Sequence, residues 1–113
     1  MNKIYLDIEG INKNQAHELI SQFNSIENVK AIVVEPQFEY KSLEIPILLE
    51  LGKGVLIAII AGIILKFFQK EKSNDGNPII INYKNTININ QIDSKEEIER
   101  KVKEIIEPQT EKK

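Results

Sequence analysis

Residues 54–65 form a run of twelve without a polar side chain, and this run constrains the fold more than any other segment. Lys53 and Lys66 flank it, and Pro46 upstream suits the first position of a helix, where its missing N–H costs nothing. The pattern predicts one helix over residues 46–69. From lysine to lysine it would span roughly 20 Å, against about 30 Å for a hydrocarbon core. Snorkelling lysines and further apolar flanks extend that span, so a buried core helix and a membrane-spanning helix both stay open.

Small and charged residues recur every fourth position along this predicted helix, from Glu50 to Lys66. In a domain surrounded by water, that stripe would face solvent while the broad apolar side covers a sheet. In a membrane, the same stripe would be a surface on which helices pack closely. The predicted packing or oligomerisation stripe contains Gly54, Ala58, Ala61 and Gly62.

The first third of the chain predicts a strand, a helix and a strand. Residues 4–9 alternate apolar and polar side chains, which is typical of a strand with one buried face. Asn12 and Gln15 form a capping-box pattern before an apolar helical stripe. Residues 29–34 read as a second strand, apolar on both faces and therefore covered on both sides. This order predicts a βαβ unit with a right-handed crossover.

The last third predicts a β-hairpin and a helix. Residues 78–83 and 86–90 alternate around Lys84-Asn85, which predicts a two-residue turn with Ile80, Ile87 and Ile89 on one face. Ser94 and Glu97 then form a second capping box. Pro108 is expected to close this helix, leaving residues 108–113 as a solvated tail.

These elements predict a single α+β domain over residues 1–107. The order is β-α-β-α-β-β-α, with a four-stranded sheet packed against helices and one strongly apolar central helix over residues 46–69. Phe38 and Tyr40, in the connection of residues 37–45, are expected to pack onto the domain. The predicted core includes Ile4, Leu6, Ile8, Leu19, Phe23, Val33, Ile98 and Val102.

The residues of catalytic chemistry are sparse. The chain has no cysteine, which excludes disulfides and thiolate metal sites, and His17 is the only histidine. Asp7 and Glu9 share one strand face; acid–base catalysis would normally need a carboxylate from a second element as well, so we expect a solvated face. We therefore predict a protein that is not an enzyme, with no catalytic residue, cofactor or metal.

A polar ladder along the hairpin is expected to be its exposed side, with a recognition surface as the alternative. The ladder consists of Asn82, Thr86, Asn88 and Asn90.

Charge gives little indication of a partner. The net charge is −2, with −4 in residues 1–50 and +2 in residues 51–113. The basic residues lie among acids, without a basic stripe interleaved with aromatic residues, so nucleic acid is not an expected partner. Residues 1–10 alternate instead of forming an apolar signal sequence. The expected compartment is the cytoplasm, or the inner membrane if the central helix spans it.

The layout over residues 3–107 resembles the effector-associated constant components of bacterial conflict systems. The resemblance rests on the strands 4–9 and 29–34, the helix around residues 16–23, the glycine-containing apolar helix 48–68, and the hairpin and helix of residues 79–106. Phe23 stands where that family is expected to have a tryptophan. The resemblance implies a non-enzymatic adaptor acting beside a separate effector, such as a peptidase, in antiviral defence.

Two functions therefore remain open at the level of sequence. The first is a protein-binding accessory component, which the resemblance favours. The alternative is a small single-pass membrane protein that oligomerises or permeabilises the bilayer through residues 55–68.

Overall fold

The computed structural model describes residues 2–34, 44–73 and 76–110, which form a five-stranded antiparallel sheet and three helices. The strand order is β2-β3-β1-β4-β5. The α+β class is confirmed, and the predicted strands all join one sheet. The elements are β1 (Asn2–Glu9), α1 (Lys13–Asn24), β2 (Val29–Val33), β3 (Ile45–Leu51), α2 (Ile57–Lys70), β4 (Ile80–Tyr83), β5 (Ile87–Asn90) and α3 (Lys95–Thr110).

The predicted helix over residues 46–69 is wrong in its first third, which forms the additional strand β3. Alternate residues of β3 are buried, and its other side chains are half-buried. Pro46 is tolerated because it lies near the end of the ladder. The Pro46 carbonyl accepts the Val34 N–H at 2.9 Å. The N–H that proline lacks would have pointed to the same side, toward the end of β2. The helical part of the prediction survives as the 14 residues of α2.

The two strands of the predicted βαβ unit are parallel and belong to one sheet, but a further strand is inserted between them. β3 lies between β1 and β2 and is antiparallel to both, so β1 and β2 run in the same direction without touching. β2 is therefore an edge strand, covered on one face only. Ala31 is buried, whereas Ile32 is 56% exposed, so the expectation of cover on both sides is also wrong.

The core lies between the three helices and one face of the sheet. β1 contributes alternate residues to it, beginning with Ile4, because successive side chains of a strand point to opposite faces. Of the predicted core residues, Val33 is half-buried and the others are buried. The central part consists of Ile4, Ile8, Leu19, Phe23, Ile47, Leu49, Ile60, Ile64, Ile79, Ile81, Ile89 and Ile98.

Side chains cap the N-terminal ends of α1 and α3. The capping box of Asn12 and Gln15 is present in both directions, at 2.8 and 2.9 Å. The Ser94 hydroxyl accepts the Glu97 N–H at 3.2 Å at the start of α3. α3 continues through Pro108 to Thr110, so the predicted tail is helical over its first three residues.

One glutamine ties the end of α2 to the hairpin. The Gln91 amide donates to the Phe68 and Glu71 carbonyls at 2.9 and 2.8 Å, and accepts the Ile79 N–H at 3.0 Å. Helix carbonyls at a C-terminus lack partners within the helix, so this side chain supplies what the backbone leaves open.

The hairpin differs from the prediction by one residue of register. Lys84 and Asn85 form the turn with φ of 53° and 58°, and the Thr86 N–H donates to the Tyr83 carbonyl. Pairing resumes with Tyr83 opposite Ile87, so Thr86 is one extra residue. Because the side-chain period is two, the slip reverses the faces. Ile80 therefore lies on the face opposite to Ile87 and Ile89.

The length of the helices bears on the expectation of a membrane-spanning central helix. Across residues 2–34, 44–73 and 76–110, no helix combines the length and apolar content needed to cross a membrane.

Phe38 and Tyr40 lie outside the described residues, and so does their predicted packing.

Candidate functional site

In the part of the chain that the structure describes, the helices cover one face of the sheet and no element packs on the other, open face. Strand pairing places its side chains in rows that cross the strands. Lys30, Glu50 and Lys3 form the first row, which we call the lysine row. Within it, the Lys3 ammonium lies 3.8 Å from the Glu50 carboxylate.

The next row is apolar and largely accessible. Ile32 of β2, Leu48 of β3 and Tyr5 of β1 lie opposite one another, and we call them the apolar row. Tyr5 is 60% exposed and Ile32 is 56% exposed, while Leu48 between them is half-buried. A depression of about 70 Å³ lies between this row and the lysine row. Three adjacent strands thus present an apolar centre to solvent.

Carboxylates gather at the far end of the same face. Asp7 and Glu9 follow Tyr5 at alternate positions of β1, and Glu44 immediately precedes β3. Burial raises the pKa of Glu44 above its ordinary value, and the nearby Asp7 and Glu9 carboxylates raise it further. We call these three residues the acidic end. Among the described residues, no group of His, Cys, Asp or Glu side chains is arranged to hold a metal ion.

The polar hairpin residues continue this face over β4 and β5. Asn82 lies between Asp7 and Asn88, and its amide donates to the Glu9 carboxylate at 2.6 Å. Asn90 is the cross-strand partner of Ile80, and both side chains lie on the open face. Thr86 is in the turn, so it does not belong to the ladder. The prediction that this side of the hairpin is exposed holds for Asn88, whereas Asn82 and Asn90 are half-buried.

Side chains cover the middle of both sheet edges. At β2, Asn24 donates to the Ala31 carbonyl at 3.0 Å and accepts the Ala31 N–H at 2.8 Å. At β5, Asp93 accepts the Asn90 N–H at 2.9 Å and Lys101 donates to the Asn88 carbonyl at 2.8 Å. An added strand would have to displace these bonds. The open face is therefore more accessible to a partner than either edge.

The structure separates the predicted packing stripe. Ala58 and Gly62 lie on the solvent side of α2, whereas Ala61 is 2% exposed and belongs to the core. Gly54 precedes the helix in a turn with φ of 84°, and Glu50 lies on the open face of the sheet. Leu56 and Ile59 are exposed beside Ala58.

Gly62 provides a test of how open this side of α2 is. A Cβ atom at Gly62 would meet nothing within 4 Å. Replacing Gly62 with alanine is expected to raise the free energy of unfolding by about 0.5–1 kcal/mol. Glycine has more backbone freedom in the unfolded chain than alanine, so it loses more conformational entropy when the helix forms. Urea unfolding of the two proteins measures the difference. A loss of stability would mean that another group occupies this space.

A groove of about 440 Å³ lies between α1 and α2. Its floor includes Ile63 and Phe67, and Lys70 and Glu18 form an ion pair across it. This hydrogen-bonded pairing raises the pKa of Lys70. Lys70 of α2 and Glu18 of α1 thus bind each other across the groove and link the two helices.

Sequence reasoning recognised the carboxylates of the face but missed its apolar row. The alternation in residues 4–9 puts Tyr5 on the solvated side of its strand, and the predicted helix over residues 46–69 includes Leu48. The available signal was the apolar residue at a solvent-side position on each of two strands, Tyr5 and Ile32. His17 is exposed on α1, away from the open face. No family model matches the chain, and neither the curated proteins nor the solved structures contain a match to it.

Proposed function

We propose that this chain acts by binding protein, as an accessory component without catalytic activity of its own, and that the open face of the sheet is its contact surface. One observation carries the proposal. The apolar row exposes more than half of both Tyr5, on the central strand, and Ile32, on an edge strand, of a sheet whose other face packs against the helices.

The composition of the face supports protein as the ligand. Protein interfaces commonly have an apolar or aromatic centre surrounded by polar groups, and tyrosine is enriched at them. Here the apolar row has the lysine row on one side and Asp7 on the other. A fitting partner has an apolar patch with acidic groups at one end and basic groups at the other.

The resemblance to effector-associated constant components extends this proposal to a biological role. Under that reading, the chain works beside a separate effector, such as a peptidase, in bacterial antiviral defence. The exposed apolar row, a surface suited to protein contact, supports the adaptor part of this role. Identification of a protein held at Tyr5 would test the role directly.

Site-specific photo-crosslinking in living cells tests the contact surface. A photoreactive phenylalanine analogue replaces Tyr5 in one variant and Leu56 in the control. The two side chains are 60% and 61% exposed, but they belong to β1 and to the residue before α2. We expect one discrete protein adduct from position 5 and none of comparable yield from position 56.

Second-site variants establish that the adduct depends on the face. Adding Ile32→Asp should abolish the adduct from position 5, because a carboxylate would enter the apolar row. Adding Ile59→Asp, on the solvent side of α2, should leave it unchanged. If position 5 gives no adduct, or if both second-site variants reduce it equally, the open face is not the binding surface.

A further inference from the structure

We propose that the partner fitted by the open face is a second copy of this chain, packed face to face to form a two-fold symmetric dimer. This inference rests on the proposed function, because it names the occupant of the same surface. Its basis is the order of charges along β1, in which Lys3, Tyr5 and Asp7 occupy successive open-face positions.

The spacing of these residues makes the face self-complementary. Lys3 and Asp7 are each two residues from Tyr5, so each lies about 7 Å from the apolar row, on opposite sides. A two-fold axis running along the apolar row superposes that row on its symmetry mate. The same operation places Lys3 of one copy over Asp7 of the other, and by symmetry forms the pair twice.

The charge pattern also selects this axis over the other simple arrangement. A two-fold axis parallel to the strands would place Lys3 over Lys3 and Asp7 over Asp7, which brings like charges together. The axis across the strands pairs opposite charges and buries Tyr5 and Ile32 along the axis, between the two sheets. It also leaves the hydrogen bonds at both edges undisturbed.

The size of the face suits a weak, reversible interface. The five strands contain 8, 5, 7, 4 and 4 residues, so at about 4.8 Å per strand and about 3.4 Å per residue the face measures roughly 24 by 19 Å. A standard interface buries about 800 Å² on each partner, whereas this face offers at most about 450 Å², so we expect self-association that is weak and reversible. Two sheets packed in this way lie about 10 Å apart with strands within about 30° of parallel or antiparallel.

Charge reversal with mixing tests the arrangement. Asp7→Lys would place a lysine over Lys3 of the other copy, and Lys3→Glu would place a glutamate over Asp7. Each variant alone is expected to weaken self-association at least about tenfold, because two attractive contacts become repulsive. An equimolar mixture should recover it, since each interface pair then joins a lysine to an acid. Analytical ultracentrifugation measures the shift from a mass of 13.0 kDa to twice that value.

Recovery in the mixture separates an interface effect from damage to the fold. This matters for Lys3→Glu, which places like charges opposite each other at Glu50. Gly62→Leu is the control on α2 and should leave self-association unchanged, since a side chain there meets open space.

The wild-type chain remaining monomeric at millimolar concentration would overturn the proposal. So would a dimer that withstands both charge reversals, or one that Gly62→Leu breaks. Photo-crosslinking distinguishes failure here from failure of the proposed function. An adduct from position 5 to a different protein supports a binding face but refutes the second copy, whereas a chain-to-chain adduct supports both.

Discussion

Replacing Leu49 with alanine is expected to lower the free energy of unfolding by about 2–5 kcal/mol. Leu49 is 2% exposed and lies in β3, with Ile4 on one side and Ala31 on the other. Truncation removes buried methyl groups and leaves a cavity that neighbouring strands cannot readily close. Urea unfolding, at a concentration where the chain is monomeric, measures the loss.

The matched control is the same substitution at the adjacent residue. Leu48→Ala should cost less than about 1 kcal/mol, because Leu48 is half-buried on the open face and leaves no enclosed cavity. The difference in lost stability between Leu49→Ala and Leu48→Ala reflects the alternation of side chains between the two faces of a strand. Similar losses at both positions would contradict the assignment of β3 and its one-sided packing.

Replacing Lys101 with methionine is expected to lower the free energy of unfolding at neutral pH by about 2–3 kcal/mol. Lys101 lies 2.7 Å from the Asp93 carboxylate, and both side chains are less than one-fifth exposed. Its ammonium also donates to the Asn88 carbonyl at 2.8 Å. Methionine preserves much of the packing but leaves the half-buried Asp93 carboxylate without its cation.

Acidification provides an independent check on this pair. Burial raises the pKa of Asp93, but hydrogen bonds from Lys101 and the Asn90 N–H outweigh it and hold the pKa below its ordinary value. The pair's contribution is therefore fully present above the unfolded-state pKa, about 3.9, and is lost as pH falls through the folded-state value. The difference between wild type and Lys101→Met should shrink over that range.

Lys103→Met is the control on the same helix. Lys103 is 60% exposed and lies 3.9 Å from Glu107, so its removal should change stability by less than about 0.5 kcal/mol. If Lys101→Met costs no more than this control, or if its cost is independent of pH, the half-buried pair of Lys101 and Asp93 does not stabilise the fold as argued.

Local patterns in the sequence were enough to predict most elements. The alternation in residues 4–9 predicted β1, and Asn12 with Gln15 correctly predicted the start of α1. Ser94 and Glu97 did the same for α3. These signals are local, because a cap or an amphipathic stripe depends on residues within a few positions of one another.

β3 was missed because its composition resembles that of the following helix. Ile47, Leu48 and Leu49 are apolar on both faces, so no alternation was visible. The overlooked signal lies in the two glycines after the strand. Gly54 has a φ of 84°, which interrupts a helix, and a Cβ atom at Gly52 would lie 3.2 Å from Asn28. The Gly52 N–H also donates to the Asn28 carbonyl at 2.7 Å.

The open face depends on pairings that no local pattern contains. Tyr5 and Ile32 are separated by 27 positions in the chain, and they share a row only because β3 is inserted between their strands. The extra residue Thr86 likewise changed which hairpin residues face the core. Asn24 showed no sequence feature beyond its place at the end of a helix, and its bonds to Ala31 follow from the position of β2.

The position of β1 at the centre of the sheet has a consequence for synthesis of the protein. β1 leaves the ribosome before either neighbour, and its partners β3 and β4 follow only after α1, β2 and a long connection. At usual translation rates, about 2–8 s separate the completion of β1 from that of β3. Throughout that interval Ile4, Leu6 and Ile8 lack their native strand partners. The strand that is most enclosed in the folded sheet is thus the one that spends the longest time without a paired neighbour during synthesis. It is the segment on which a nascent-chain chaperone would act.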